Sequence, residues 1–272
     1  MNNLVFGKYL PLDSTIHKLD PRAKIMAMLV MLIAVFIPAG WFGYAIIAAV
    51  LLILVKVAKL DYGFVFKAFK PMTFMMVFLL IINVLSVKEG PVLIDLGFIV
   101  IYTKAITNTL YIVVRLVLMI MITTLLTVTT KPLDLTLGIE YLLNPFKKIG
   151  VPAHEIAMMI SIALRFIPTI IEETMRIMNS QKSRGVDFEE GSLKEKVMAI
   201  VSLIVPLFSV AFQRADELAN AMEARGYAPS KPRTRYKQLK YQSNDYITVF
   251  GSIAILTLMI VLAFVVWGIN VL

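Results

Sequence analysis

The sequence contains no cysteine, only two histidines and few charged residues. Without cysteine, the chain cannot form disulfides, iron–sulfur clusters, thiol active sites or cysteine-ligated zinc sites. His17 and His154 are too few for a histidine-rich metal site, and no cofactor is expected. Charged residues make up 17% of the chain and hydrophobic residues 59%. A soluble domain has about 25% charged and about 45–50% hydrophobic residues. This composition excludes an ordinary soluble enzyme and predicts a membrane protein.

Five apolar runs predict five membrane-spanning helices. They lie at about 25–37, 41–55, 72–87, 105–130 and 246–269. A spanning helix needs about 20 mainly apolar residues, and the last two runs reach that length easily. A stretch with proline and glycine at 38–43 separates the first two runs. It predicts a tight helical hairpin with Trp41 at the membrane interface.

Lysine and arginine are distributed unevenly among the connections between these runs. Residues 1–24 and 56–70 carry four each, the predicted hairpin turn carries none, and 88–104 carries two that acidic residues balance. Residues 131–245 carry sixteen. Connections rich in lysine and arginine stay on the cytoplasmic side. The distribution therefore predicts that the N-terminus is cytoplasmic and the C-terminus extracellular, which agrees with five crossings.

The chain is thus predicted to have four spans in 1–130, a cytoplasmic segment over 131–245 and a last span in 246–272. Two apolar runs inside the cytoplasmic segment, 156–171 and 197–212, are an alternative pair of crossings. That alternative would place five lysines and arginines outside, against the positive-inside rule. Each run also has only sixteen residues and a central proline. A cytoplasmic location is therefore favoured.

Three cytoplasmic helices are predicted in that segment, at about 133–148, 153–183 and 192–225. Ser192 is a suitable N-cap for the third. The second and third helices begin apolar, contain a proline and then become charged. Both end in a small residue followed by arginine and glycine. The two ends are Ser183-Arg184-Gly185 and Ala224-Arg225-Gly226.

These two Arg-Gly ends have two interpretations. Glycine just past a helix is the commonest C-cap, and arginine in the last turn favours the negative end of the helix dipole. Alternatively, each end presents one guanidinium to a separate but related partner surface. The planar fork of arginine engages a carboxylate through two hydrogen bonds and stays charged when desolvated. A matching pair on two helices of similar design makes the second interpretation as strong as the first.

Further motifs accompany the Arg-Gly ends along the chain. They are Leu19-Asp20-Pro21-Arg22-Ala23-Lys24 before the first span, Arg165-Phe166-Ile167-Pro168 followed by Glu172 and Glu173, and the segment 217–226 that leads into the second end. With these motifs, essentially the whole chain resembles the EcfT family. EcfT proteins are the transmembrane coupling subunits of energy-coupling factor transporters, vitamin and metal importers of the ATP-binding-cassette class. Ser183 stands where alanine is more usual in the family.

The resemblance implies an all-α polytopic membrane protein with a cytoplasmic portion built on two long helices. It implies a scaffold without enzymatic activity that transmits the motion of two ATPase subunits to a small integral substrate-binding subunit. Arg184 and Arg225 would each meet an acidic residue in an ATPase groove, and the location would be a prokaryotic plasma membrane. The sequence contains no G-x-x-x-x-G-K-[ST] phosphate loop, so the chain is not expected to hydrolyse ATP.

A self-sufficient secondary transporter or channel is the alternative function. Such a protein needs polar or ionisable groups at the bilayer midplane. The predicted spans contain Asn83, Asn108, Arg115 and several threonines. These are few polar groups for a site that binds a coupling ion. For Arg115, a structural role with bonds to hydroxyls such as that of Thr123, or to backbone carbonyls, is the simpler interpretation.

Several other residues have structural and functional interpretations. Five methionines on the predicted cytoplasmic helices either adapt to varied partners or fill gaps in a helical core. They are Met158, Met159, Met175, Met178 and Met222. Arg22 and Lys24 are interpreted as positive-inside anchors. The basic run at 231–240 precedes the last span, where anionic head groups attract such segments, and no nucleic-acid partner is expected.

Overall fold

The computed structural model describes residues 9–61, 63, 69–95, 100–150, 152–228 and 239–271. Residues 231–238 of the basic run therefore lie outside the described residues. The chain divides into a first unit, Met1–Leu142 with Leu239–Leu272, and a second unit, Leu143–Gln238. This division assigns residues 131–142 and 239–245 to the same unit as the predicted spans. Whether the boundary of the cytoplasmic segment lies at 131 and 245 stays a prediction.

Helices make up most of the described residues, in agreement with the predicted all-α class. The helices of the first unit are α1 (Thr15–Lys18), α2 (Pro21–Phe36), α3 (Gly40–Val57), α4 (Thr73–Ser86), α5 (Thr103–Thr129), α6 (Pro132–Leu143, whose last residue belongs to the second unit) and α9 (Ser243–Val271). The second unit contains α7 (Ala153–Ser183) and α8 (Leu193–Ala224). Short 3₁₀ helices cover Lys70–Met72 and Asn144–Ile149.

The predicted break between the first two runs is present, but α2 and α3 pack mainly on α5 and α9 rather than on each other, so the tight hairpin is wrong. The side chain of Asp20 accepts a hydrogen bond from the Arg22 amide and caps α2, and Pro21 occupies the first turn, where its missing N–H costs nothing. The helix ends at Phe36, and α3 begins at Gly40, whose φ of +69° suits glycine. Two short helices therefore replace one long span.

The core of the first unit forms where α2, α3, α5 and α9 pack together. Its largest fully buried side chains include Tyr44, Ile47, Leu51 and Met259. The Met259 side chain of α9 packs against Gly43 of α3, where an added Cβ would lie 2.8 Å from the Met259 Cε atom. In contrast, α4 has no buried side chain, and its Phe74 is 81% exposed. Apolar side chains exposed in this way suit contact with lipid.

Five helices in the described residues are long and apolar enough to cross a membrane: Gly40–Val57, Thr103–Thr129, Ala153–Ser183, Leu193–Ala224 and Ser243–Val265. The prediction of an all-helical membrane protein with about five such helices is confirmed. The five helices that are long and apolar enough include α7 and α8, however, and do not include α2 and α4. Those two helices have only 16 and 14 residues. The cytoplasmic location of α7 and α8 therefore stays a prediction.

Two parts of the structure differ from the predicted elements. The helix predicted at 133–148 ends at Leu143 and continues as a 3₁₀ helix, because Pro145 has no N–H to donate and its ring clashes with the preceding turn. The connection at 88–104 contains an unpredicted antiparallel hairpin, β1 (Val92–Asp95) and β2 (Val100–Tyr102). The β-branched and aromatic residues in these two short runs favour strands.

Candidate functional site

The two Arg-Gly ends have the same backbone conformation. Arg184 ends α7 with φ −89° and ψ 6°, and Arg225 ends α8 with φ −87° and ψ 7°. The glycines that follow, Gly185 and Gly226, have φ values of +86° and +72°. Both glycines are therefore left-handed, the conformation that L residues with a side chain rarely adopt.

Matching hydrogen bonds close the two ends. In each, the amide of the residue after glycine donates to the carbonyl three residues before the arginine. The glycine amide donates to the carbonyl two residues before the arginine. The N···O distances are 3.0 and 3.0 Å at the first end and 2.9 and 2.8 Å at the second. This pair of bonds defines a Schellman C-cap, so the capping interpretation holds at both positions.

Open space surrounds both glycines. No heavy atom lies within 4 Å of the position that a Cβ would occupy on Gly185 or Gly226. The requirement for glycine therefore comes from the left-handed φ alone. Because each chain turns at its glycine, the preceding arginine is left at the tip of its helix.

Arg184 and Arg225 are both exposed. Within the described residues, neither guanidinium forms an ion pair or a side-chain hydrogen bond. The neighbouring Lys182 instead lies 4.0 Å from Glu189. Capping by the glycine backbone and exposure of the arginine side chain thus occur together, so the two interpretations of the motif are compatible.

The helices α7 and α8 form an antiparallel pair. The Arg214 Nη2 atom of α8 lies 3.7 Å from the Glu173 Oε2 atom of α7. Further along α7, the Gln181 side chain donates to the Ser202 carbonyl at 3.2 Å. As α7 advances from residue 173 to 181, its partner on α8 retreats from 214 to 202. The two helices therefore run in opposite directions where they touch.

This arrangement places the two arginines at opposite ends of the helix pair. The helices have 31 and 32 residues, and an α-helix rises about 1.5 Å per residue. Counted from the middle of the contact region, Arg184 and Arg225 lie in opposite directions, roughly 35 Å apart along the pair. Two exposed guanidinium groups with the same local geometry are thus widely separated on one pair of helices.

The five candidate methionines do not form one face. Met159 and Met175 are exposed, while Met158 and Met178 are half-buried, and so is Met222 on α8. At about 100° per residue, Met158, Met159 and Met175 point in directions that differ by about 100° or more around α7. Their role as a contact surface stays a prediction.

An exposed apolar stripe along the first half of α8 is better defined than the methionines. Its members recur three or four residues apart, so they lie on one side of the helix. They are Leu193, Val197, Val201, Ile204, Phe208 and Phe212. The exposed fraction is 85% at Leu193 and 69% at Phe212. Helical periodicity within the uncharged run 197–212 was the sequence signal for this stripe.

The motif at 19–24 is a packing centre, and the role of Arg22 as a positive-inside anchor stays a prediction. The Arg22 guanidinium donates two hydrogen bonds to the Asp20 carboxylate, Nε to Oδ1 at 3.1 Å and Nη2 to Oδ2 at 2.9 Å. It also lies 4.8 Å from the ring centre of Tyr141 and 4.4 Å from that of Tyr241. These aromatic partners come from distant parts of the chain.

Lys24 is not a surface anchor, because its residue is only 7% exposed. Its ammonium donates to the Thr129 carbonyl at 2.9 Å and to the His17 carbonyl at 3.2 Å. The positive charges at the start of α2 thus join several helices of the first unit. The positive-inside count identified these residues but not their partners.

Arg115 on α5 is held by aromatic groups. Its Nε donates to the Tyr44 hydroxyl at 2.8 Å, and its guanidinium lies 5.8 Å from the Phe36 ring centre and 5.4 Å from that of Tyr111. The expected partner of the Thr123 type is wrong, since the Thr123 hydroxyl donates to backbone carbonyls of its own helix. The structural interpretation of Arg115 agrees with these contacts.

The sequence is similar to known proteins over most of its length. Residues 13–236 match the profile of the CbiQ family, described as cobalt transport protein. A Lactococcus lactis protein named energy-coupling factor transporter transmembrane protein EcfT is 43% identical, over 96% of this chain and 98% of its own. Proteins with the same name from Bacillus subtilis and Clostridium kluyveri are each 42% identical, over 95% and 98% of this chain and 98% and 99% of their own.

These matches cover the motif at 19–24, both long helices and both Arg-Gly ends. The Clostridium kluyveri relative aligns over 269 residues, so the similarity extends along nearly the whole sequence. The chain therefore belongs to the EcfT family of energy-coupling factor transporter transmembrane proteins.

Proposed function

We propose that Arg184 and Arg225 each dock one of two ATPase subunits onto this energy-coupling factor transmembrane protein. One observation carries the proposal: two exposed guanidinium groups share one backbone geometry and lie roughly 35 Å apart on an antiparallel helix pair. Two helix ends with the same geometry are expected to bind two partners with similar surfaces. Two similar ATPase subunits supply such a pair.

The chemistry of each contact is a charge-assisted hydrogen bond. A guanidinium at the tip of a helix can donate two parallel hydrogen bonds to one carboxylate, which sets direction as well as strength. Within the described residues neither guanidinium has an internal ion pair. Docking therefore breaks no internal ion pair in this chain, and an acidic residue in each ATPase is the expected receptor.

The antiparallel pair is also the proposed path for motion. Glu173 pairs with Arg176 on its own helix and with Arg214 on the other, each at 3.7 Å, and Gln181 bonds the Ser202 carbonyl. The Glu173–Arg214 and Gln181–Ser202 contacts hold α7 and α8 together, so a displacement of either arginine by its ATPase moves both helices. ATP hydrolysis belongs to the partners in this proposal, and the chain itself acts without enzymatic activity.

The exposed apolar stripe on α8 supports a second partner, a small integral substrate-binding subunit. An apolar surface of this kind marks a protein or membrane contact rather than a water-exposed face. Movement of α8 would then reorient the bound subunit and its substrate, a vitamin or another micronutrient. In this arrangement the N-terminus is cytoplasmic and the C-terminus extracellular, in a bacterial cell membrane.

Charge reversal with copurification tests the docking proposal. The chain is expressed with two differently tagged ATPases and the substrate-binding subunit, and the copurified ATPases and substrate uptake are measured. We expect R184E and R225E each to reduce retention of one ATPase preferentially, and the double variant to lose both together with uptake. The proposal fails if the double variant still retains both ATPases and supports uptake.

A matched control separates docking from a general change of charge. Lys194 lies in the first turn of α8, is exposed, and forms no ion pair within the described residues. The K194E variant makes the same change of charge in the same unit, at a helix start where a negative charge is favourable. Copurification and uptake should stay at the parental level.

The alternative of a self-sufficient transporter receives no support from Arg115. Arg115 donates a hydrogen bond to Tyr44 and lies over two aromatic rings, so its side chain is packed within the first unit. A coupling-ion site would instead need ionisable groups that can exchange partners at the midplane. Uptake by the chain in vesicles without ATPases would be the result that favours this alternative.

A further inference from the structure

A cavity of about 290 Å³ lies inside the first unit, between α1, α2, α3, α5 and α9. Met31, Leu51 and Ile122 contribute to its mainly apolar wall. Polar groups line the end where α5 finishes and where α2 and α9 begin, among them Lys24 and Asn244. The cavity is therefore amphipathic, with one polar end and one apolar end.

Lys24 has hydrogen-bonding capacity left over at the polar end. An ammonium group carries three N–H donors, and two of them are used by the carbonyls of Thr129 and His17. Within the described residues, the third has no partner, and no carboxylate lies within ion-pair distance of the Lys24 nitrogen. The residue is 7% exposed, and a buried charge without full compensation is costly.

Three carboxylates act on the Lys24 charge through space, those of Asp134, Asp245 and Asp20, and the last two are hydrogen bonded to other groups. Asp20 pairs with Arg22 through both oxygens. Asp245 accepts the backbone amides of Asp20 and Gln242, each at 2.7 Å. A ligand in the cavity that Lys24 lines can supply an acceptor for the third Lys24 donor.

We propose that the cavity binds one acyl chain of an anionic phospholipid, whose head-group oxygens accept a hydrogen bond from Lys24. A membrane protein is surrounded by such lipids, and an acyl chain matches the apolar wall. The volume is at the small end of ligand pockets, which span about 300–1,000 Å³, so it suits one chain rather than a whole lipid. The negative head group adds to the favourable charges of Asp134, Asp245 and Asp20, which act on Lys24 through space.

Native mass spectrometry of the full-length chain tests this site. The protein is purified, delipidated in detergent, and offered phosphatidylglycerol, phosphatidylcholine or a free fatty acid in separate arms. We expect one phosphatidylglycerol to stay bound per chain under conditions that remove bulk lipid, with weaker retention of phosphatidylcholine. Equal retention of the two phospholipids, retention of the fatty acid alone, or a bound detergent that phosphatidylglycerol does not displace would each overturn the proposal.

Two variants and a control complete the test. A27F adds an aromatic ring on the wall of the cavity, and it should abolish retention of phosphatidylglycerol. A49F adds the same ring on an exposed position of α3, and it should leave retention unchanged. K24Q should reduce the preference for phosphatidylglycerol over phosphatidylcholine about tenfold, since a charged hydrogen bond is lost. If K24Q does not fold, parental retention by A27F still overturns the proposal.

Discussion

The backbone amide of Asp20 donates a hydrogen bond of 2.7 Å to the carboxylate of Asp245, across a separation of 225 positions in the chain. The other oxygen of Asp245 accepts the Gln242 amide, also at 2.7 Å. One buried carboxylate therefore caps the start of α9 and holds it against the start of α2. This junction fixes where the starts of α2 and α9 meet.

Removal of the Asp245 carboxylate should destabilise the first unit. The residue is 1% exposed, so D245A leaves two amides without their acceptor in a buried place. Each such group costs about 1–3 kcal/mol, and we expect a clear loss in the midpoint of thermal unfolding in detergent. D216A removes an exposed carboxylate from α8 and serves as the control. A parental midpoint for D245A would contradict the structural role.

Substitution of the cap glycines should weaken docking more than folding. G185A and G226A place a side chain on a left-handed residue, which costs roughly 1–2 kcal/mol, and the helix end is expected to unwind and misdirect its arginine. Copurification of the ATPases should fall while the first unit unfolds at the parental temperature. Undiminished retention of both ATPases by both variants would show that the caps do not orient the arginines.

Gly251 offers the matched control for these glycine substitutions. It lies within α9 and also has no heavy atom within 4 Å of a Cβ position, but its φ is not left-handed. Alanine favours a helix interior over glycine by roughly 0.5–1 kcal/mol. G251A should therefore be neutral or slightly stabilising, and it should retain both ATPases.

The link between α7 and α8 should affect transmission rather than docking. Glu173 forms ion pairs with both Arg176 and Arg214, and E173Q removes its charge while its shape is kept. Ion pairs near the surface are worth about 0.2–1 kcal/mol, and Glu173 is half-buried, so the chain should still fold and copurify with its ATPases. We expect slower uptake for a given rate of ATP hydrolysis, measured in proteoliposomes.

The neighbouring Glu172 is the control for this experiment. It is exposed and forms no ion pair within the described residues, so E172Q makes the same chemical change one position away. Its ratio of uptake to hydrolysis should match that of the parent. If E173Q and E172Q behave alike, the Glu173 contacts do not carry motion between the helices.

Protonation of His17 should destabilise the start of the chain. Burial is the main cause that lowers the pKa of His17 below its usual value, and the positive charge of Lys24 also lowers it, against the Leu10 carbonyl and Asp13, which raise it. The unfolded chain therefore binds a proton more readily than the folded chain. Stability is greatest above the unfolded pKa, about 6.5, and declines as the pH falls below it.

Thermal unfolding at pH 7.5 and pH 5.5 measures this effect. We expect the parent to unfold at a lower temperature at the acidic pH, and H17Q to lose part of that difference. His154 is the other histidine of the chain, and H154Q is the matched comparison. An equal pH difference in the parent and H17Q would rule out His17 as its source.

Local signals in the sequence predicted the ends of the long helices well. Ser192 and Glu195 form a capping box within four residues of chain, and Gly185 and Gly226 mark the left-handed turns. Such features depend on neighbours in sequence, so they can be read before the structure is known. The bounds predicted for α7 and α8 are therefore confirmed to within one residue.

Long-range contacts could not be predicted in the same way. Nothing in the pattern around Arg22 identifies Tyr141 and Tyr241 as its aromatic partners, because a single sequence does not record which helices pack together. The hydrogen bond from Arg115 to Tyr44 is of the same kind. Charge counting used Arg22 and Lys24 only to predict orientation, and it could not distinguish a buried group from one at the surface.

The open space around Gly185 and Gly226 has a consequence for what those positions tolerate. Since no atom lies within 4 Å of a Cβ there, the constraint concerns handedness and not volume. A D-alanine introduced by chemical ligation would keep the backbone turn, whereas L-alanine would strain it. Among the genetically encoded residues only glycine is achiral, so glycine is the residue that adopts this left-handed turn without strain.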